Sequence, residues 1–147
     1  MSISNTKSGL VTSLPKEIQV LIARASEVRK LAYAPYSNYL VGSALIDAEG
    51  RMFAGCNVEN ASYSAAICAE RVAISKMISE GGKSIRQLVV LTSSTQPIFP
   101  CGVCRQVITE FGADAEIYAV DGAVQKYELS TVADLFPHRF TENELRG

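Results

Sequence analysis

The sequence predicts an α/β domain in three layers, with helices on both sides of a mixed sheet of about five strands. Two observations predict it. Segments with strand-like and helix-like apolar spacing alternate along the chain, and 147 residues are enough for one hydrophobic core but too few for two ordinary domains. No internal repeat, linker or low-complexity segment interrupts the alternation. Residues 1–12 read as a flexible, Ser/Thr-rich tail and residues 13–147 as a single folded domain.

Taken in order, Ser13 with Pro15 supplies a cap and first turn for a helix. Ile18, Leu21, Ile22, Ala25, Val28 and Leu31 then recur at helical spacing, so one face over residues 18–32 is expected to be buried, and Pro35 stops the helix. Residues 39–47 (YLVGSALID) are apolar and strand-like; Glu49-Gly50 turns the chain, and residues 51–58 (RMFAGCNV) return as the hairpin partner. After a loop of small and polar residues, 68–79 (CAERVAISKMIS) has helical periodicity and stops at Gly81-Gly82. Residues 85–92 (IRQLVVLT) have the β-branched, apolar content of a buried central strand. A turn-rich stretch leads into a short helix over 101–111 closed by Gly112, then a strand over 115–120, which Asp121-Gly122 turns into a fifth strand around Tyr127. Helical turns over 132–135 and 142–145 finish the chain.

The composition narrows the choice of partner. Apolar residues make up 48% and charged residues 20%, and the formal net charge is only −1, the balance of a globular protein with no pull toward a polyanion. Lys and Arg are scattered rather than clustered, so no nucleic-acid partner is expected. No apolar run approaches the roughly 20 residues needed to span a bilayer, and the polar N-terminus lacks the apolar block of a secretory signal. No membrane association is therefore expected, and the location expected is cytoplasmic. Two of the four cysteines lie in a C-x-x-C turn, a pattern that in a reducing compartment favours metal or redox chemistry over structural bridges.

Two segments carry the chemistry: Cys68-Ala69-Glu70 and Pro100-Cys101-Gly102-Val103-Cys104. Each lies where a loop enters a helix, so backbone amides and the positive end of the macrodipole favour thiolates there. Cys101 and Cys104, three apart across a first turn, can grip one ion, and Cys68 can add a third sulfur if the two helix starts face each other. Three protein ligands leave a fourth tetrahedral position open, which distinguishes a catalytic zinc from a closed structural one. Glu70 is displaced around the helix from Cys68, so its carboxylate can lie beside that open position and move a proton between water and a substrate nitrogen. Three thiolates on Zn²⁺ leave a formal charge of −1, and Arg71, at i+3 from Cys68 on the same helix face, offers compensation.

These residues match the zinc-deaminase signature of a His or Cys ligand, x-E, then P-C-x-x-C. The chain resembles the small three-cysteine cytidine deaminases, and the resemblance extends from about Tyr33 to Phe140. It includes Tyr36-Ser37, Val41-Gly42, Gly55-Cys56-Asn57-Val58-Glu59-Asn60-Ala61, Cys68-Ala69-Glu70-Arg71, Pro100-Cys101-Gly102-Val103-Cys104-Arg105-Gln106 and Glu110-Phe111-Gly112. The resemblance implies a cytidine deaminase-like fold, with residues 13–147 as the catalytic domain, one Zn²⁺ per subunit on Cys68, Cys101 and Cys104, and Glu70 as the catalytic acid/base. It implies that Asn57 and Glu59 hydrogen-bond the ribose, which makes the substrate a nucleoside rather than a free base. By the same resemblance the Ala69 and Cys101 backbone orients the pyrimidine edge, and the Pro100 carbonyl accepts a hydrogen bond from the departing amine. Ala61 and Tyr63 are implied to serve a neighbouring subunit's site and Phe140 to close over the pyrimidine from across an interface, in a homotetramer with shared active sites. Where the family places Phe before its Val-Gly step this chain has Tyr39, whose hydroxyl needs a partner or water if the ring lines the base pocket.

Other readings of the same residues remain. C-x-x-C alone also occurs in zinc ribbons and redox motifs, and Cys56 offers a fourth sulfur for a closed structural site. Asn57 has the alternative of capping a turn, and Glu59 and Arg71 that of forming ordinary ion pairs. His138, the only histidine, reads as a surface side chain. The same zinc chemistry also serves polynucleotide-editing deaminases and deaminases of antibiotic nucleosides, and a zinc-stabilised protein without activity is a third class.

Overall fold

The computed structural model describes residues 5–147. Its sheet has six strands in the order β1-β6-β5-β4-β2-β3, with helices on both faces. The expected central elements are present: β2 (Val41–Asp47) and β3 (Met52–Cys56) form the hairpin, followed by α2 (Ala69–Ser79), β4 (Ile85–Thr92), α3 (Gly102–Phe111), β5 (Glu116–Val120) and β6 (Lys126–Thr131). The short helices α4 (Val132–Leu135) and α5 (Glu142–Arg146) close the chain.

Three expectations are corrected. The sixth strand is β1 (Lys7–Leu10), which pairs antiparallel with β6 inside the segment read as a flexible tail; residues 1–4 of that segment lie outside the described residues. β1 shows no apolar alternation because, at the sheet edge, three of its four residues are exposed and backbone hydrogen bonds hold it. Ser13 does not cap the first helix. Its hydroxyl donates to the Leu10 carbonyl at 2.7 Å, and Pro15 is the N-cap of α1 (Lys16–Arg29). That helix ends at Arg29 rather than near residue 32, which leaves Leu31 74% exposed.

The alternation of side chains along buried strands divides the core in two. Ala44, Ile46, Val89 and Leu91 face α1, meeting Ile18, Leu21, Ile22 and Ala25; Leu45, Leu88, Val90 and Ile117 face α2 and α3, meeting Ala73, Ile74, Met77 and Ile108. β2 is buried along its whole length. Two adjacent strands bring the helices close with glycine. A Cβ on Gly42 would lie 2.0 Å from the Ala25 carbonyl oxygen in α1, and one on Gly55 would lie 2.7 Å from the Ala73 nitrogen in α2, so each glycine admits a helix backbone.

Strand direction then positions the helix starts. β3 and β4 are both antiparallel to β2, so they run the same way and deliver the chain at the same end of the sheet. From there it enters α2 and α3, which pack on the same face. Among the described residues no helix is long and apolar enough to cross a membrane.

Gly42→Ala is expected to destabilise the protein by about 3 kcal/mol, because helix backbone rather than a flexible side chain occupies the space. Urea unfolding of parent and variant measures it, and an unchanged midpoint contradicts the close approach.

Candidate active site and metal centre

Cys68 is the N-cap of α2 and Cys101 the N-cap of α3, so each has extended backbone just ahead of a helix. Cys104 is one turn into α3 and fully buried. The Cys68 and Cys101 sulfurs lie 3.9 Å apart, and all three lie within 4.8 Å of one another. Four-coordinate zinc with Zn–S bonds of about 2.3 Å needs sulfur–sulfur separations of roughly 3.8 Å, so the trio fits this ion. Cys56, half-buried on β3 and paired with Gly42, is outside the group; among the described residues these three are the only cluster of metal-ligating side chains. The closed four-sulfur alternative is absent.

The electrostatics favour a cation in the same place. Hydrogen bonding from Cys104 pushes the Cys68 thiol down to about 5, against the opposing effect of burial and with help from Arg71 and Cys101. The same coupling to Cys68, reinforced by burial, pushes the Cys104 thiol up. Sulfurs this close resist sharing several negative charges, and a divalent ion removes that resistance by favouring all the thiolates together. Arg71 is where its spacing predicts, with Nη2 3.8 Å from the Cys68 sulfur and 3.4 Å from the Ala66 carbonyl; its Nε is buried without a partner.

Glu70 is 4% exposed, and burial holds its carboxyl up at about 7, with the nearby Cys68 thiolate adding to the rise and the Cys104 thiol and Arg71 opposing it. A cleft of about 500 Å³ is lined by Glu70, Arg71, Cys68 and Cys101, and also by Tyr39, Asn57, Glu59 and Tyr63. Thus eight of the residues singled out in the sequence share one cavity in a single chain. Ala61, Ala69, Pro100, Cys104 and Phe140 are not in its lining. Ala69 is buried behind the helix start, whereas Ala61 and Phe140 are exposed, the latter by 54%. Tyr63 is 77% exposed and meets the Tyr36 ring edge-on at 5.9 Å between centroids.

Asn57 and Glu59 reach the cleft because residues 57–59 are clamped on both sides. Val58 exchanges backbone hydrogen bonds with Ile67, one residue before Cys68, while Tyr33 bonds the Asn57 carbonyl and the Glu59 amide. Asn57 Nδ2 donates to the Tyr39 carbonyl at 2.8 Å and its Oδ1 accepts from the Val41 amide at 2.9 Å. Side chain rather than strand therefore satisfies this backbone, which is why β2 begins at Val41 and not at residue 39. Among the described residues Glu59 forms no ion pair; it accepts from the Tyr36 and Ser37 amides and from Ser37 Oγ at 2.6 Å, and these donors, the Ser37 hydroxyl foremost, hold its carboxyl below the usual range. In the sequence Ser37 stands out only as part of the Tyr36-Ser37 motif. Nothing local in the sequence shows that its hydroxyl would meet a carboxylate 22 residues away.

Fold and site together define a three-layer α/β/α protein with an open, mononuclear metal centre beside a buried carboxyl. The family described as the cytidine and deoxycytidylate deaminase zinc-binding region matches residues 15–121. The chain is 40% identical over 129 residues to the cytidine deaminase of Sporosarcina psychrophila, covering 88% of this chain and 95% of that protein. It is 40% identical over 130 residues to the cytidine deaminase of Halalkalibacterium halodurans, covering 86% and 96%. The crystal structure of cytidine deaminase from Burkholderia pseudomallei superposes with a TM-score of 0.79 at 39% identity, covering 83% of this chain and 98% of that one. The chain belongs to the cytidine and deoxycytidylate deaminase family.

Cys56→Ser is expected to keep about one zinc per chain and Cys104→Ser to lose most of it. Metal analysis of the purified variants separates the two; a Cys56→Ser protein free of zinc contradicts the three-sulfur assignment.

Proposed function

We propose that this chain catalyses the zinc-dependent hydrolytic deamination of cytidine and 2′-deoxycytidine to uridine and 2′-deoxyuridine with release of ammonia. The observation that carries the reading is a buried glutamate in the same cleft as three convergent cysteine sulfurs, its carboxyl held at about 7. Cys68, Cys101 and Cys104 would hold the zinc, which would supply Lewis-acid activation of water. Glu70 takes up a proton from water and hands it to N3 of the pyrimidine, a task its buried place in the cleft beside the sulfurs suits. Arg71 offsets the negative charge of the sulfurs. The backbone at Ala69 and Cys101 orients the pyrimidine edge from two helix starts. The Pro100 carbonyl, which accepts one bond from Arg105, keeps a second lone pair for the departing amine.

Asn57 and Glu59 receive the sugar. Each spends part of its hydrogen-bonding capacity on the loop over residues 36–41, and each keeps some: Asn57 has a second N–H, and the Glu59 carboxylate has four acceptor sites for three donors. A free base leaves that capacity unpaired, so the nucleoside is the better substrate. The exposed Tyr63, Phe140 and Ala61 support assembly as a homotetramer with active sites shared between subunits; the same reading assigns the chain to the cytoplasm and to pyrimidine salvage.

Glu70→Gln is expected to retain its zinc and lose turnover of cytidine by about 10²–10⁴-fold. The fall in ultraviolet absorbance as cytidine becomes uridine, followed on protein of measured zinc content, gives the result; a Gln variant as active as the parent would falsify the role of Glu70.

A further inference from the structure

Arg105 follows Cys104 directly and is half-buried on α3. Its guanidinium is not used as an ion-pair partner among the described residues. Instead Nε donates to the Pro100 carbonyl at 2.7 Å and Nη1 to the Leu135 carbonyl at 2.7 Å. These carbonyls belong to separate parts of the chain. Pro100 is buried and immediately precedes Cys101, so fixing its carbonyl fixes the peptide plane from which Cys101 starts. Leu135 is the last residue of α4, where no further turn supplies an amide, and it packs against the core under α2 and α3.

The three sulfurs differ in what holds them. Cys104 is fully buried and Cys68 half-buried, but Cys101 is exposed, so packing cannot set its position. A hydrogen-bonded backbone has to. The Arg105 amide donates to the Cys101 carbonyl at 2.9 Å, as the helix requires, and the side chain adds the second hold one peptide earlier. Gln106 makes a separate attachment that does not touch the Pro100-Cys101 peptide, with Nε2 donating to the Phe140 carbonyl at 2.9 Å. Between these anchors the chain turns at His138, with φ of +55°, in the left-handed region that non-glycine residues adopt uncommonly.

We propose that Arg105 is a positioning residue: its planar fork holds the Pro100-Cys101 peptide so that the Cys101 sulfur meets those of Cys68 and Cys104, with α4 as the fixed buttress. The inference rests on the reading of these sulfurs as zinc ligands. It makes α4 part of the metal site's support although no α4 residue lines the cleft.

The test uses the full-length, zinc-loaded protein and its Arg105→Ala, Arg105→Lys and Gln106→Ala variants. Zinc transfer to a chromogenic chelator is timed, and melting temperatures are taken before and after zinc is stripped. Arg105→Ala is expected to release zinc about 10- to 100-fold faster. Arg105→Lys, a point charge able to serve one carbonyl, falls between, and Gln106→Ala, whose partner lies beyond the metal turn, releases at the parent's rate. Arg105→Ala also narrows the gap between loaded and stripped melting temperatures, because it weakens metal binding to the native state; loss of a purely structural anchor lowers both equally. Parental release by Arg105→Ala with an unchanged gap overturns the proposal while leaving the zinc reading intact. If the Ala variant does not fold, parental release by Arg105→Lys has the same force. A parent chain that takes up no zinc overturns the reading of the cysteines, and this proposal with it.

Discussion

The direction of two strands is the constraint on which the site depends. Because β2 pairs antiparallel with both β3 and β4, those strands end on the same side of the sheet, and the helices that follow begin there on one face. Helix N-termini concentrate unsatisfied amides and positive dipole ends. With a cysteine as N-cap of each and a third one turn inside, the fold brings together three groups whose anionic forms repel one another and whose surroundings favour anions. A divalent cation resolves that conflict. The cost of the arrangement falls on Glu70, which is buried beside the sulfurs and kept from ionising easily, a poor choice for stability alone.

The remainder of the cleft is attached to this centre by backbone. Val58 pairs with Ile67 just before Cys68, so the side chains that flank Val58 have a fixed distance from the metal site. Asn57 and Glu59 are at once structural and available. They replace the missing strand partners of residues 36–41, and this second task makes them rigid. A polar group already oriented by its own hydrogen bonds loses little freedom when a ligand arrives. Capping this turn does not exhaust either side chain, since Asn57 keeps one N–H after two bonds to the loop and the Glu59 carboxylate keeps an acceptor site after three.

Close packing explains several motifs that chemistry does not. Gly42 and Gly55 occupy neighbouring strands and let helices approach from opposite faces, so the Val-Gly and Gly-Cys-Asn steps are marks of layer spacing. The pocket at the sheet end exists because α1, α2 and α3 lie near enough to the sheet to bury both faces of β2 while the helix starts remain open to solvent.

How much of this was legible depended on whether the signal was local. Periodicity and turn residues locate the central strands and helices to within about three residues at their ends, because a buried strand or an amphipathic helix writes its pattern into consecutive positions; the edge strand β1 reads as tail because backbone bonds, which any residue supplies, hold it. Ser13 offered a hydroxyl that bonds back to Leu10, three residues earlier, instead of capping the helix. The three-cysteine cluster and the carboxyl beside it were readable as well, since Cys68, the Cys101/Cys104 pair and Glu70 stand at spacings a helix start turns into geometry. That the two helix starts meet, that Cys56 stays outside, and that Ser37 and Arg105 have partners far along the chain follow only from strand order and direction. The sequence by itself determined which residues have the chemistry; the tertiary structure decided which of them stand together, because distance between remote segments is set by sheet topology and is not written at either one.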